Sequence, residues 1–312
     1  MATKRQSARS NRSNQSKKTL YLIDSSIYVF RAWHTLPDSI RSPRDEPVNA
    51  LYGFLDFLAQ LYEQTASEHI VCAFDRSLAT SARNRIYPAY KANRDPAPED
   101  LNHQFALCQR AVDLLGFKQF ARARYEADDI IGTLAATAAR RGFDSCIVSA
   151  DKDLAQFIGE RDVYWNFAKG ERLNAKAIEK KFGVKPHQIA DLLAICGDKV
   201  DNIPGIPGVG MATAAKLLKK WHTLDNLFEN KELVADMKFR GAARVAGLLD
   251  RHEPDVRLAR QLTGLLPVKD LPVSMRLLKR ESDNLAGFTR FLKRQGFSER
   301  RIERLTQTFS SP

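Results

Sequence analysis

The chain predicts an α/β fold with a mainly parallel central sheet, followed by a helical part. Three observations carry this. The runs TLYLID (19–24), HIVCAFD (69–75) and SCIVSAD (145–151) are short, β-branched and aromatic-rich, with the length of buried parallel strands. Helical patterns lie between them, giving the βα alternation of a parallel sheet. From about residue 170 helical patterns dominate to the end.

The elements follow in order. Residues 1–18, MATKRQSARSNRSNQSKK, carry six bases, no acid and no apolar stretch. This reads as a disordered basic arm and not as a secretory signal. Between the strands lie helical patterns over 48–64, 98–116 and 126–142. A boundary is expected near 170, giving an α/β core over 19–170 and a helical part over 171–312. Helices are expected over 174–183, 186–197 and 211–221. No apolar run reaches the roughly 18 residues of a membrane span; with no secretory signal and with cysteines read as reduced thiols, the chain is expected to be cytoplasmic, and nucleoid-associated if bacterial. The four cysteines are far apart, without a C-x-x-C pair, and are read as buried reduced thiols.

The strands share an ending: Asp24, Asp75 and Asp151 close the three runs. In parallel sheets ligands bind beyond the carboxyl ends of the strands. One such Asp is commonly a helix cap; three together point to a site. YEADD adds Glu126, Asp128 and Asp129 at a helix start, where the macrodipole favours negative charge. SADKD adds Asp153 and GDKVDN adds Asp198 and Asp201. Nine converging carboxylates would repel strongly. Oxygen-only ligands without a histidine among them suit Mg²⁺ or Mn²⁺, in two or more ions, and argue against zinc. Two ions about 4 Å apart support phosphoryl displacement. The net charge is +12, and without the nine acids 28 acidic residues face 49 basic ones. A basic surface around an acidic pit suits a nucleic-acid partner.

GDKVDNIPGIPGVG precedes a helix, but its Gly205, Gly208 and Gly210 are in the wrong order for a dinucleotide loop, so no nucleotide cofactor is expected. A Pro/Gly turn between helices, over about 186–221, reads as a helix-hairpin-helix whose N–H groups grip a DNA phosphate. Lys216 would add to this grip. The segment RNRIYPAYKANRDPAPED interleaves Arg83, Lys91 and Arg94 with Tyr87 and Tyr90, cations for phosphates and rings for bases.

With these residues in view, the chain resembles the 5′-nuclease family: the N-terminal nuclease domain of bacterial DNA polymerase I, phage 5′-exonucleases and flap endonucleases. The matching pieces are IDSSIYVFRAWH, PVNALYGF, AFD, YPAYKANR, YEADD, SADKDL and GDKVDNIPGIPGVG. The resemblance implies a helical arch over about 83–110, a helix-three-turn-helix motif and metal-dependent cleavage of 5′ flaps, nicked or branched DNA that leaves 5′-phosphates. It implies a first metal group of Asp24, Asp75, Glu126, Asp128 and Asp129 and a second of Asp151, Asp153, Asp198 and Asp201, with Asp24 and Asp151 central to catalysis. It implies that Lys91 and Arg94 contact the scissile phosphate, and that DNA is held by Arg83, Tyr90, Gly205, Gly208, Val209, Gly210 and Lys216. It also implies K⁺ at the hairpin loop 203–210. Ala82 stands where the family has Phe, and the loop after Asp75 is one residue longer. With no polymerase part in its 312 residues, a stand-alone, monomeric nuclease is expected. The competing expectations are a catalytically silent DNA-junction binder and a related metal-dependent RNase.

Overall fold

The computed structural model describes residues 18–76 and 81–310. The expected basic arm, Lys18 excepted, and the lengthened loop after Asp75 lie outside the described residues. The strands are β1 (Thr19–Asp24), β2 (Ile70–Asp75), β3 (Lys118–Arg122), β4 (Asp144–Val148), β5 (Val163–Asn166) and β6 (Glu171–Leu173). The helices between them are α1 (Ser25–Thr35), α2 (Asn49–Thr65), α3 (Ala82–Ile86), α4 (Glu99–Leu114) and α5 (Ala127–Arg140). After the sheet come α6 (Ala175–Phe182), α7 (Ile189–Cys196), α8 (Met211–Trp221), α9 (Leu224–Glu229), α10 (Ala242–Thr263), α11 (Leu285–Arg294) and α12 (Glu299–Ser310).

The sheet order is β3-β2-β1-β4-β5-β6, all parallel except for β6. A parallel sheet needs both faces covered. Alternation along β1 supplies the two faces. Leu20 and Leu22 face a core shared with α5, α7, α8 and α10. Ile23 faces a second core shared with α1, α2, α4, α11 and α12. The last two helices therefore return to the face opposite α7, α8 and α10. Their anchors, Phe288, Leu292, Leu305 and Phe309, are fully buried.

Three cysteines are buried and Cys196 is half-buried; all four are free. The segment expected to form an arch contains the five-residue α3, turns over 88–94, and α4. The inner face of α4 is fixed in the core by Leu101, Cys108, Ala111 and Val112.

Candidate metal and nucleic-acid site

The register explains the convergence. β1 is central and pairs with β2 and β4, with Asp24 beside Ala73 and Ile23 beside Val148. Parallel strands end at the same edge, so Asp24 and Asp75 lie on neighbouring strand ends. Asp151 stands three residues beyond the end of β4, in the turn that starts a 3₁₀ segment, Lys152–Phe157. Glu126 is the N-cap of α5, which opens at the same edge.

Serines hold these acids in place. The Ser149 hydroxyl donates to Asp24 (2.8 Å), and the Asp75 amide donates to Ser26 Oγ (2.9 Å). The amide of Ala127 donates to Asp75 (2.9 Å), and the Ser81 hydroxyl donates to Glu126 (3.2 Å). Sequence reasoning passed over these hydroxyls; the only signal was small polar residues flanking each acid.

The charges are unevenly balanced. Burial and the Asp75 carboxylate push Asp24 up to about 7. Burial and Glu126 raise Asp75. Burial, Asp151 and Asp24 push Asp128 well above the usual carboxylate range. Burial and Asp151 push Asp153 up to about 7. Burial would also raise Glu126 and Asp198, but Lys91 and Arg83 at the first, and Lys152 at the second, bring both below the ordinary value. Burial is thus the first cause of each rise and the neighbouring acids add to it, while at Glu126 and Asp198 the cations outweigh burial.

Those cations come from two loops. Lys91 Nζ donates to Glu126 (2.6 Å) and lies 3.6 Å from Asp201. Its backbone is left-handed, at φ 54°, and its amide donates to the Asp201 carbonyl (2.9 Å). Arg94 pairs with the other oxygen of Asp201. Asn202 donates to the Ala89 carbonyl (2.7 Å) and Asn93 to the Lys199 carbonyl (3.1 Å). Loop 89–94 is therefore stitched to loop 198–202. Lys152, which sequence reasoning passed over between its two aspartates, donates to Asp198 (2.7 Å) and lies 3.1 Å from Asp153.

Three expected roles are corrected by burial. Asp129 is fully buried, and Arg83 is 4% exposed. Arg83 donates to both oxygens of Asp129 (2.7 and 2.8 Å) and to the carbonyls of Leu262 (2.7 Å) and Gly264 (2.8 Å). Asp129 also accepts from the amides of Leu266 (2.9 Å) and Glu126 (3.1 Å). Their polar atoms are turned to each other and to the end of α10. Asp129 is thus a structural acid and not a metal ligand, and Arg83 a clamp and not a DNA contact. Tyr90 is 3% exposed, which excludes base stacking; its hydroxyl lies 3.1 Å from Glu126 and 3.2 Å from Asp201, donates to one of them at a time, and stands between the two acids.

The hairpin loop divides likewise. A Cβ on Gly205 would lie 2.2 Å from the Gly197 nitrogen, so Gly205 permits close backbone approach at the end of α7. Val209 is buried and its amide donates to the Ile206 carbonyl (3.0 Å), which removes it from the expected DNA face. Gly208 takes φ 77°. Gly210 is exposed at the N-cap of α8, where the first N–H groups precede the helix's own i−4 bonds. Lys216 is exposed one turn on.

A cavity of about 780 Å³ opens beside Asp75, Lys91 and Arg94, walled by Phe30, Phe105 and Pro96. Among the described residues no three acids are gathered closely enough to hold one ion together; they lean instead on Lys91, Lys152 and the serines. The donor set still fits hard divalent ions: eight carboxylates, all oxygen, four of them raised by burial and then by neighbouring acids. No helix among the described residues is long and apolar enough to cross a membrane.

Residues 19–183 match the family model of the 5′-3′ exonuclease N-terminal, resolvase-like domain, and residues 184–286 that of the 5′-3′ exonuclease C-terminal SAM fold. The chain is 40% identical to a 5′-3′ exonuclease of Aquifex aeolicus over 215 residues, 69% of this chain and 74% of that one. It is 34% identical to the thermostable DNA polymerase I of Thermus thermophilus over 283 residues, 91% of this chain, and spans about a third (33%) of that relative's length. Its fold is that of bacteriophage T5 D15 flap endonuclease, solved as a pseudo-enzyme-product complex with DNA and metal ions; the TM-score is 0.61 at 16% identity, over 94% of this chain and 98% of that one. By sequence along nearly its whole described length and by fold, the chain belongs to the 5′-3′ exonuclease family.

Proposed function

We propose that the chain is a structure-specific 5′-3′ exonuclease and flap endonuclease that hydrolyses DNA phosphodiesters with divalent metal ions and leaves 5′-phosphates. The observation that supports this reading is that acids from the strand ends, the start of α5 and the 198–201 loop lean on a few shared cations, with Lys91 reaching both Glu126 and Asp201, Arg94 pairing with Asp201, and Lys152 reaching Asp153 and Asp198. Asp24, Asp75, Glu126 and Asp128 would hold one ion, and Asp151, Asp153, Asp198 and Asp201 another. Mg²⁺ or Mn²⁺, when bound, supplies Lewis-acid polarisation of the phosphodiester and a water ionised near neutral pH.

The chain's own residues do the rest. Lys91 and Arg94 attract the scissile phosphate and offset charge developing on it. Tyr90 keeps Glu126 and Asp201 apart. The α8 N-terminus, with the amides near Gly208 and Gly210 and the Lys216 ammonium, grips a duplex phosphate without reading bases. Loop 203–210 is the proposed K⁺ site, through its carbonyls. The stitched loops 89–94 and 198–202 fix the distance between grip and cut. A monomer working in the cytoplasm fits this reading.

The test is cleavage of a 5′-labelled DNA flap with EDTA, Mg²⁺ or Mn²⁺, by wild type and by Asp151→Asn. Metal-dependent cutting near the junction, lost in the variant, is expected. Tight binding without cutting under any metal would favour a silent junction binder, and faster cutting of an RNA flap would favour an RNase.

A further inference from the structure

Two lysines of different kinds stand among the acids: Lys91 bridges Glu126 of the first group and Asp201 of the second, whereas Lys152 pairs with Asp153 and Asp198 of the second. Lys91 is 10% exposed and cannot leave easily: its left-handed backbone, its amide bond to Asp201 and the Tyr90 ring 4.9 Å from its ammonium hold it in place. Lys152 is 40% exposed and reaches in from solvent. Its ammonium lies between Asp198 (2.7 Å, side chain 7% exposed) and Asp153 (3.1 Å, side chain 16% exposed). Among the described residues, these two carboxylates are the partners of its ammonium.

We infer that Lys152 is a built-in competitor for the second divalent ion: its ammonium occupies the gap between Asp153 and Asp198 and must swing out before an ion shares those carboxylates. This rests on the proposed metal-dependent function. The ammonium supplies the positive charge that an ion would supply, so filling the second group exchanges one cation for another, whereas filling the first adds charge where none is fixed at Asp24 or Asp128. The two groups therefore load in order, and the second acts as a threshold on divalent concentration. The same lysine stabilises the folded chain when divalent ions are scarce, because Asp153 and Asp198 would otherwise face each other without a counter-charge. Lys152 is in this sense a positioning residue.

The experiment is calorimetric titration of Mn²⁺ into DNA-free wild type, Lys152→Met, Lys152→Gln and Lys152→Arg, with melting curves of each in EDTA and in saturating Mn²⁺. The weaker of two Mn²⁺ affinities is expected to tighten by about tenfold or more in the Met and Gln variants, as charge count at a site sets affinity. The Arg variant should stay near wild type. The Met and Gln variants should melt below wild type in EDTA, with the gap closing in Mn²⁺. Two unequal sites with the weaker one unchanged or weakened in Lys152→Met and Lys152→Gln would overturn the inference and leave the metal-dependent function standing. No Mn²⁺ binding by wild type or by any variant would overturn both, a different result from the first.

Discussion

Replacing Arg83 with methionine should unfold the chain more readily, and the size of the effect follows from what Arg83 holds. The guanidinium fills a bidentate pair with a fully buried Asp129 and donates to the carbonyls of Leu262 and Gly264. Methionine keeps much of the volume and none of the donors. Asp129 would then keep only the amides of Leu266 and Glu126. Removing one partner of a buried ion pair costs about 3–5 kcal/mol. The two stranded carbonyls add about 1 kcal/mol or more each where water cannot reach them. The expected loss is therefore at least about 3–5 kcal/mol, a large share of the roughly 5–15 kcal/mol that stabilises a typical protein.

Urea unfolding followed by circular dichroism measures this through the midpoint at constant slope. The double variant Arg83→Met with Asp129→Leu should recover much of the loss, since replacing both members of a buried pair is far milder than removing one. The contrary reading makes Arg83 a phosphate contact. It predicts wild-type unfolding, weaker DNA binding and a shallower salt dependence. Unfolding of Arg83→Met at the wild-type midpoint would refute the clamp.

The remaining predictions concern the site and the hairpin. Lys91→Met should slow single-turnover flap cleavage by about 10²–10³-fold, the usual cost of losing one aimed charge donor; an unchanged rate would remove Lys91 from the chemistry. Tyr90→Phe keeps the ring and loses the hydroxyl between Glu126 and Asp201, so Mn²⁺ affinity should fall while DNA affinity in EDTA stays constant; the reverse pattern would restore Tyr90 to the DNA face. Gly205→Ala should lower the melting temperature markedly, because its Cβ would meet the Gly197 nitrogen and the Cys196 carbonyl carbon at 2.2 and 2.3 Å, whereas Gly210→Ala meets nothing within 4 Å and should melt like wild type. Asp24 and Asp153, raised to about 7, bind protons in the folded chain that they release in the unfolded one. Their raised values mean that stability in EDTA should fall as pH rises from 6 to 8, while Mn²⁺ affinity rises roughly tenfold or more over the same interval as bound protons cease to compete; a pH-independent Mn²⁺ affinity would contradict this.

The parts of the fold that sequence made legible are those with strong local patterns. β1 and α8 begin and end where the apolar run and the helical spacing do. β3, β5 and β6 were not foreseen. KQFAR has no apolar run and lies half-buried at one margin, while VYWN and ERL are four and three residues long. Such segments pair because a neighbouring strand offers an edge, and that edge is not local information. The same holds at the site. The acids were visible because their positions follow strand ends and helix starts. The pairing of Arg83 with Asp129 and the end of α10 spans 46 to 181 residues of chain, so their charge was legible and their burial was not. Nor did the helical pattern of α11 and α12 reveal that these helices cross to the far face of the sheet.

These long-range contacts bear on how cutting is tied to recognition. The acids come from both parts of the chain, with six of the eight on the sheet side and Asp198 and Asp201 on the loop that leads into the hairpin. If the two parts could shift independently, the second acid group would open and close with every such shift. The structure prevents this at two points. Loop 89–94 is fastened to loop 198–202 through backbone and asparagine bonds, above the acids. Arg83 and Asp129 fasten α3 and α5 to the end of α10 below them. On the proposed function, a duplex phosphate gripped at the start of α8 would then stand at a fixed distance from Lys91 and Arg94. Position along the DNA would be set by the spacing between grip and cations, which would let a site without base readout choose where a strand is cut.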